Sequence, residues 1–222
     1  MQSKKGSRLI ACTLVSFAVS VLFLLFYLKG FWTLLDQAAF AWVATIRSDA
    51  LTAFFHGLTY LGSGVTLIPL ATVAAIAMLV KGYRAEAVTL VTTLVAAYLL
   101  NDVMKAVFAR PRPEDFHVID LPDSYSYPSG HAMVGPAFYL LLAYILYGWF
   151  RQKSWMGLLQ VAAVLLAVLL PMSRVYLGVH YASDVLSGLA LSLTMYFFAS
   201  FCYRRWTERG SKWTRAPLNI KP

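Results

Sequence analysis

The sequence predicts an all-α membrane protein, six transmembrane helices packed in one bundle, and three observations carry that expectation. Hydrophobic residues fill 59% of the 222 positions and charged residues 13%, against about 45–50% and about 25% in a typical soluble domain. Mean hydropathy is +0.64, and a chain this short cannot bury so much apolar surface in one aqueous core. Several apolar stretches approach the roughly 20 residues that a helical crossing needs. Two cysteines, Cys12 and Cys202, are too few for a disulfide scaffold; they are read as packing residues. No repeat or low-complexity tract divides the chain, so residues 1–222 read as a single domain.

Residues 9–28 form the first apolar run, behind Lys4, Lys5 and Arg8. A cleaved signal peptide would have a shorter core of about 7–15 residues. The cleavage-like triplet Ala39-Phe40-Ala41 also lies well past the end of the run, so a permanent helix is expected. Phe31, Trp32, Leu35, Ala39, Trp42, Val43 and Ile46 then recur at roughly helical spacing. That pattern suits equally an interfacial helix in the headgroup layer and an ordinary packed connecting helix. The remaining spans are expected at 58–80, 85–108, 132–150, 155–172 and 181–203. Gly62-Ser63-Gly64 and Pro69 in the second are expected to allow close helix contact or a kink. The basic tail, 204–222, is expected on the membrane surface or without fixed structure.

The formal charge of +9 would suggest nucleic acid for a soluble protein. In a membrane protein, Lys and Arg instead mark the cytoplasmic side, and the bilayer is the expected partner. With the N-terminus inside, Lys4, Lys5, Arg8, Lys81, Arg84, Arg151, Lys153, Arg204, Arg205, Arg209, Lys212, Arg215 and Lys221 all fall inside. Only Lys29, Arg47, Lys105, Arg110, Arg112 and Arg174 fall outside. Both termini are therefore expected in the cytoplasm. Lys105, Arg110, Arg112 and Arg174 gather in two outer loops, where topology alone gives no reason for them.

Three segments meet at that outer face by helix parity: Lys105 to Pro113, Pro128-Ser129-Gly130-His131, and Ser173-Arg174 through His180 to Asp184. Lys105, Arg112 and Arg174 supply cations, with Arg112 between two prolines in a stiff, extended stretch. Arginine meets phosphate with a planar fork of donors and lysine with a compact charge. Ser129 and Gly130 open a helix, whose unpaired N–H groups favour an anion. His180 and Asp184, spaced i and i+4, share a helix face. The carboxylate can accept the Nδ1–H and leave Nε2 free to attack phosphorus. His131 is placed to protonate the leaving oxygen. Such a set suffices for phosphoryl transfer without a metal or cofactor, because positioning and charge stabilisation do most of the work.

These residues resemble the signature of the type 2 phosphatidic acid phosphatase family, K-x6-R-P, P-S-G-H and S-R-x5-H-x3-D, at every fixed position. The resemblance implies a phosphohistidine formed on His180, oriented by Asp184. It makes His131 the general acid and later the activator of water, and gives the phosphate oxygens to Lys105, Arg112, Ser129, Gly130 and Arg174. It further implies a bacterial plasma-membrane enzyme acting on a phospholipid or polyprenyl phosphate, such as undecaprenyl pyrophosphate or phosphatidylglycerophosphate. Arg110 falls at a variable position of the signature. Asn101 and Asp102, one turn before Lys105, are expected to make a helix-packing bond, to orient Lys105 or to contact the site. Two other functions fit the same motifs: a lipid phosphotransferase and a non-catalytic lipid transporter.

Overall fold

The computed structural model describes residues 2–209, with side chains for 6–208. All regular structure among them is helical. The order is α1 (Gln2–Leu28), α2 (Thr33–Ile46), α3 (Asp49–Thr59), α4 (Gly64–Val80), α5 (Arg84–Phe108), α6 (Gly130–Phe150), α7 (Met156–Tyr176) and α8 (Ala182–Arg209). A 3-10 turn, Tyr60–Gly62, joins α3 to α4. Five helices (α1, α5, α6, α7 and α8) are long and apolar enough to cross a membrane, and α3 with α4 makes a sixth candidate as a pair bent by 44°.

The second span is therefore not the continuous 58–80 helix that hydropathy suggests. Ser63 adopts an extended conformation that interrupts the helix. The neighbouring Gly62 has a steric reason, since a Cβ there would stand 2.8 Å from Cδ2 of His131. Close contact and a break are both realised at Gly62–Gly64, while Pro69 lies inside α4.

Two other boundaries move. α7 continues through Tyr176, so Ser173 and Arg174 occupy its last turn rather than a loop. α8 continues to Arg209, supported by an Arg204–Glu208 ion pair of 2.7 Å one turn apart. The first part of the expected tail is thus helical, and residues 210–222 lie outside the described residues. Cys12 and Cys202 are exposed on the faces of α1 and α8 and are not packing residues.

α8 is the hub, packed on α1, α6 and α5, while α6 also packs on α7 and α4 on α5. Leu67, Leu90, Val134, Phe138, Leu141 and Ile145 fill the core between α4, α5 and α6. Leu14, Val65, Val73 and Leu158 remain exposed, an outer surface that hydrocarbon tolerates and water would not. α2 lies on α7 and α8, burying Asp36 and Val43 while Phe31, Leu34 and Trp42 face outward. It is packed on one side and keeps the apolar outer face of an interfacial helix on the other.

Candidate active site

The C-terminal ends of α5 and α7 and the N-terminal ends of α6 and α8 meet at one end of the bundle, beneath the 109–129 connection. Left-handed Ala109 (φ 43°) ends α5 and turns Arg110 and Arg112 across that end. Gly178 is also left-handed (φ 75°), and a Cβ there would strike the backbone of Phe116. The connection can therefore lie flat on the turn before α8, where Val118 N–H donates to Leu177 O at 3.1 Å. Every residue of the three motifs is brought to this one end.

Lys105 donates to Tyr125 O at 2.6 Å and Ser124 Oγ at 3.1 Å. Arg112 donates from Nε to Ser124 O at 2.6 Å and from Nη1 to Val179 O at 2.7 Å. Arg174, only 4% exposed, donates from Nη1 to Thr59 Oγ1 at 2.7 Å. These partners are neutral, so three buried or half-buried cations have no carboxylate bonded to them. Burying cations this way is costly unless an anion joins them. At this site two buried polar atoms, Arg174 Nε and Ser129 Oγ, have no hydrogen-bond partner among the described residues.

Ser129 contributes differently from expectation. Its N–H donates to Asp184 O at 3.1 Å, so Ser129 has its hydroxyl to offer a ligand, not its backbone. The N–H groups of Gly130, His131 and Ala132 precede the first helical bond, Met133 N to Ser129 O, and form the open end of α6.

His180 is 2% exposed, and its Nε2 lies 3.1 Å from Arg112 Nη1. A guanidinium can only donate, so Nε2 must be the acceptor and Nδ1 carries the hydrogen. Burial, and then Arg112, Arg174 and Lys105, push the imidazole well below its ordinary pKa. The ring is neutral with its lone pair among the cations. Arg112 is itself lowered to about 10 by burial, so it stays charged at neutral pH. His131 opens α6 and hydrogen-bonds the Thr59 backbone. It lies near enough to Arg174 and Arg112 to feel both charges, and near His180 as well. Thr59 therefore touches both Arg174 and His131, a role no motif signalled.

Asp184 and His180 stand 3.5 Å apart, longer than a good hydrogen bond. Ser126 stands between them, with Oγ 3.3 Å from Nδ1 and donating to Asp184 Oδ2 at 2.5 Å. Arg110, at its variable position, donates to Asp184 Oδ1 at 2.5 Å and to Asp36 Oδ2 at 2.8 Å. Sequence reasoning missed Asp36 and Ser126; a single acid on the otherwise apolar α2 was the available signal for Asp36. Asn101 donates to Pro128 O at 3.1 Å, tying α5 to the turn before α6, and Asp102 is exposed.

Residues 86–208 match the PAP2 superfamily. The chain is 34% identical over 164 residues to phosphatidylglycerophosphatase B of Bacillus subtilis, covering 73% of this chain and 80% of that protein. It is 36% identical over 134 residues to an undecaprenyl-diphosphatase of Sulfolobus acidocaldarius, covering 57% and 60%. The crystal structure of a transmembrane PAP2 type phosphatidylglycerolphosphate phosphatase from Bacillus subtilis superposes with a TM-score of 0.78 at 26% identity, over 92% of this chain and 98% of that one. Fold, site and relatives together define a multi-pass membrane hydrolase of phosphoric esters. The chain belongs to the PAP2 superfamily.

Proposed function

We propose that this protein is a bacterial plasma-membrane lipid phosphatase that removes a phosphate from phosphatidylglycerophosphate, undecaprenyl pyrophosphate or both, at the outer face. The observation that carries the reading is the Nε2 lone pair of His180, 3.1 Å from Arg112 and directed among Lys105, Arg112 and Arg174. Nε2 attacks phosphorus, the bond from phosphorus to the lipid oxygen breaks, and His131 gives that oxygen its proton. Water then attacks the phosphohistidine, losing its proton to His131, and inorganic phosphate leaves from His180. Lys105, Arg112, Arg174, Ser129 Oγ and the Gly130 N–H hold the phosphate oxygens through both steps. Asp184 keeps Nδ1 facing Ser126 and stabilises the positive charge that forms on the ring.

The whole chain acts as one domain with six spans, α3 and α4 sharing the second, and both termini in the cytoplasm. Three cations do the charge work that a divalent metal would otherwise do, so turnover needs no metal. A cavity of about 230 Å³ between α2, α3, α7 and α8 is lined by Leu35, Val43, Phe55 and Val185 among others. It opens beside the site and suits an acyl or prenyl chain.

The test is phosphate release by the purified chain from undecaprenyl pyrophosphate, phosphatidylglycerophosphate, phosphatidic acid and a water-soluble ester, each with and without EDTA. The two named lipids are expected to be cleaved fastest, and EDTA to leave the rate within about twofold. Loss in EDTA restored by Mg²⁺ rejects the mechanism. Transfer of phosphate to a labelled lipid acceptor in place of free phosphate makes the protein a phosphotransferase. Lipid movement without cleavage, preserved in His180→Ala, makes it a transporter.

A further inference from the structure

Arg110 bridges two carboxylates from distant parts of the chain, Asp184 on α8 and Asp36 on α2. Both acids also organise the first turn of α8. Asp36 Oδ1 accepts from Ser183 N–H at 2.9 Å and its Oδ2 from Ser183 Oγ at 2.8 Å. A side chain from another helix thus caps one of the free N–H groups at the start of α8. Asp184 Oδ2 reaches back to Tyr181 N–H at 3.1 Å, the return half of a capping box. Arg110 Nη1 adds a bond to Ser183 Oγ at 2.7 Å, and its guanidinium lies 3.9 Å over the Tyr181 ring. The residues that follow His180 are therefore held from three sides.

Resting on the phosphatase reading above, we infer that Arg110, held in place by Asp36, is a positioning residue for the His180 nucleophile, acting through Asp184. Arg110 takes up Oδ1, so Oδ2 is left to face Ser126 and Nδ1 of His180. Without that partner Oδ1 would stand unpaired in a fully buried position, and the carboxylate would rotate or take up a proton. Either change removes the fixed acceptor behind the imidazole. Asp36 has a second task. One guanidinium shared by two carboxylates leaves a net charge of about −1 behind Nδ1. Arg110 alone would cancel Asp184 and leave nothing to stabilise the positive phosphohistidine. A lysine cannot replace Arg110, because one ammonium does not present two parallel donors to two separate carboxylates.

The inference is tested on the full chain in detergent with dioctanoyl phosphatidic acid as the probe. Arg110→Ala is expected to lower kcat about 10- to 100-fold, with KM changed by less than about threefold. Arg110→Lys is expected to stay near the alanine variant, and added guanidinium to restore part of kcat to Arg110→Ala but none to His180→Ala. Asp36→Asn is expected to lower kcat about tenfold with KM held. A thermal melt establishes folding, and where Arg110→Ala does not fold, Arg110→Lys and Asp36→Asn decide by the same comparison. Wild-type kcat in the folded variants, a loss confined to KM, or full recovery with lysine overturns the inference. An active His180→Ala, or a wild type that releases no phosphate from any of the four substrates named above, instead overturns the phosphatase reading.

Discussion

The two sides of the His180 ring use the same side chain under opposite conditions. Facing Nε2, Arg112 and Arg174 donate to Val179 O, Ser124 O and Thr59 Oγ1, all neutral, and hold uncompensated charge. Beyond Nδ1, Arg110 lies between Asp36 and Asp184 and its charge is more than cancelled. Proton affinities follow the partners. Burial lowers Arg112 to about 10. Burial also opposes the charge on Arg110, but Asp184 and then Asp36 outweigh it and raise its pKa. An arginine beside a catalytic histidine is thus a ligand donor or a structural clamp according to what its fork already holds. On the proposed mechanism, charge left uncompensated on one side serves substrate, and charge cancelled on the other serves geometry.

The largest expected effect comes from breaking the uncompensated side. On the proposed mechanism Arg174→Ala removes a buried donor to the phosphate and is expected to cut kcat/KM about 10²- to 10³-fold, measured by phosphate release. A loss below about fivefold would mean that Arg174 serves Thr59 rather than substrate. The pH profile sharpens the same contrast. His180 is held low by burial first and by Arg112 next, so in the wild type the acid limb of kcat/KM is expected below the ordinary imidazole value of about 6.5. Protonation there destroys the nucleophile. Arg112→Gln removes one opposing charge, makes protonation easier and is expected to move that limb to higher pH. A limb that stays in place would mean that burial, with Arg174 and Lys105, sets the titration without Arg112.

How far this arrangement was legible in sequence depends on the kind of signal. Spans of 20 apolar residues write themselves into hydropathy, so α1, α5, α6, α7 and α8 were readable. The α3–α4 bend was readable only as a glycine cluster, because the reason for it is the ring of His131, distant in the chain. Lys105, Arg112, His131, Arg174, His180 and Asp184 were readable because chemistry fixes their types and spacing. Arg110 was visible as an outer cation without a topological reason, but its two partners were not. Asp36 lies 74 positions away on a helix whose burial face only packing decides, and Ser126 stands in a connection with no periodicity to read. The residues proposed to act on phosphate were legible, with Asp184, while Asp36 and Ser126, which hold them, were not.

Ser126 offers the smallest and most discriminating test of that division. Its hydroxyl has one hydrogen, and the 2.5 Å contact assigns it to Asp184 Oδ2, which leaves the oxygen to accept from Nδ1–H of His180 at 3.3 Å. Asp184 then acts on the imidazole mainly through Ser126, with a direct contact of 3.5 Å as the weaker route. Ser126→Ala is expected to lower kcat about tenfold with KM unchanged, because the direct route survives. Asp184→Asn takes the charge from both routes and one of the two carboxylates that hold Arg110, so its kcat is expected to fall further than that of Ser126→Ala, again with little change in KM. Equal losses would mean that the hydroxyl carries the whole coupling. Wild-type turnover in Ser126→Ala would mean that carboxylate and ring communicate directly, with the 3.5 Å gap closing when substrate binds.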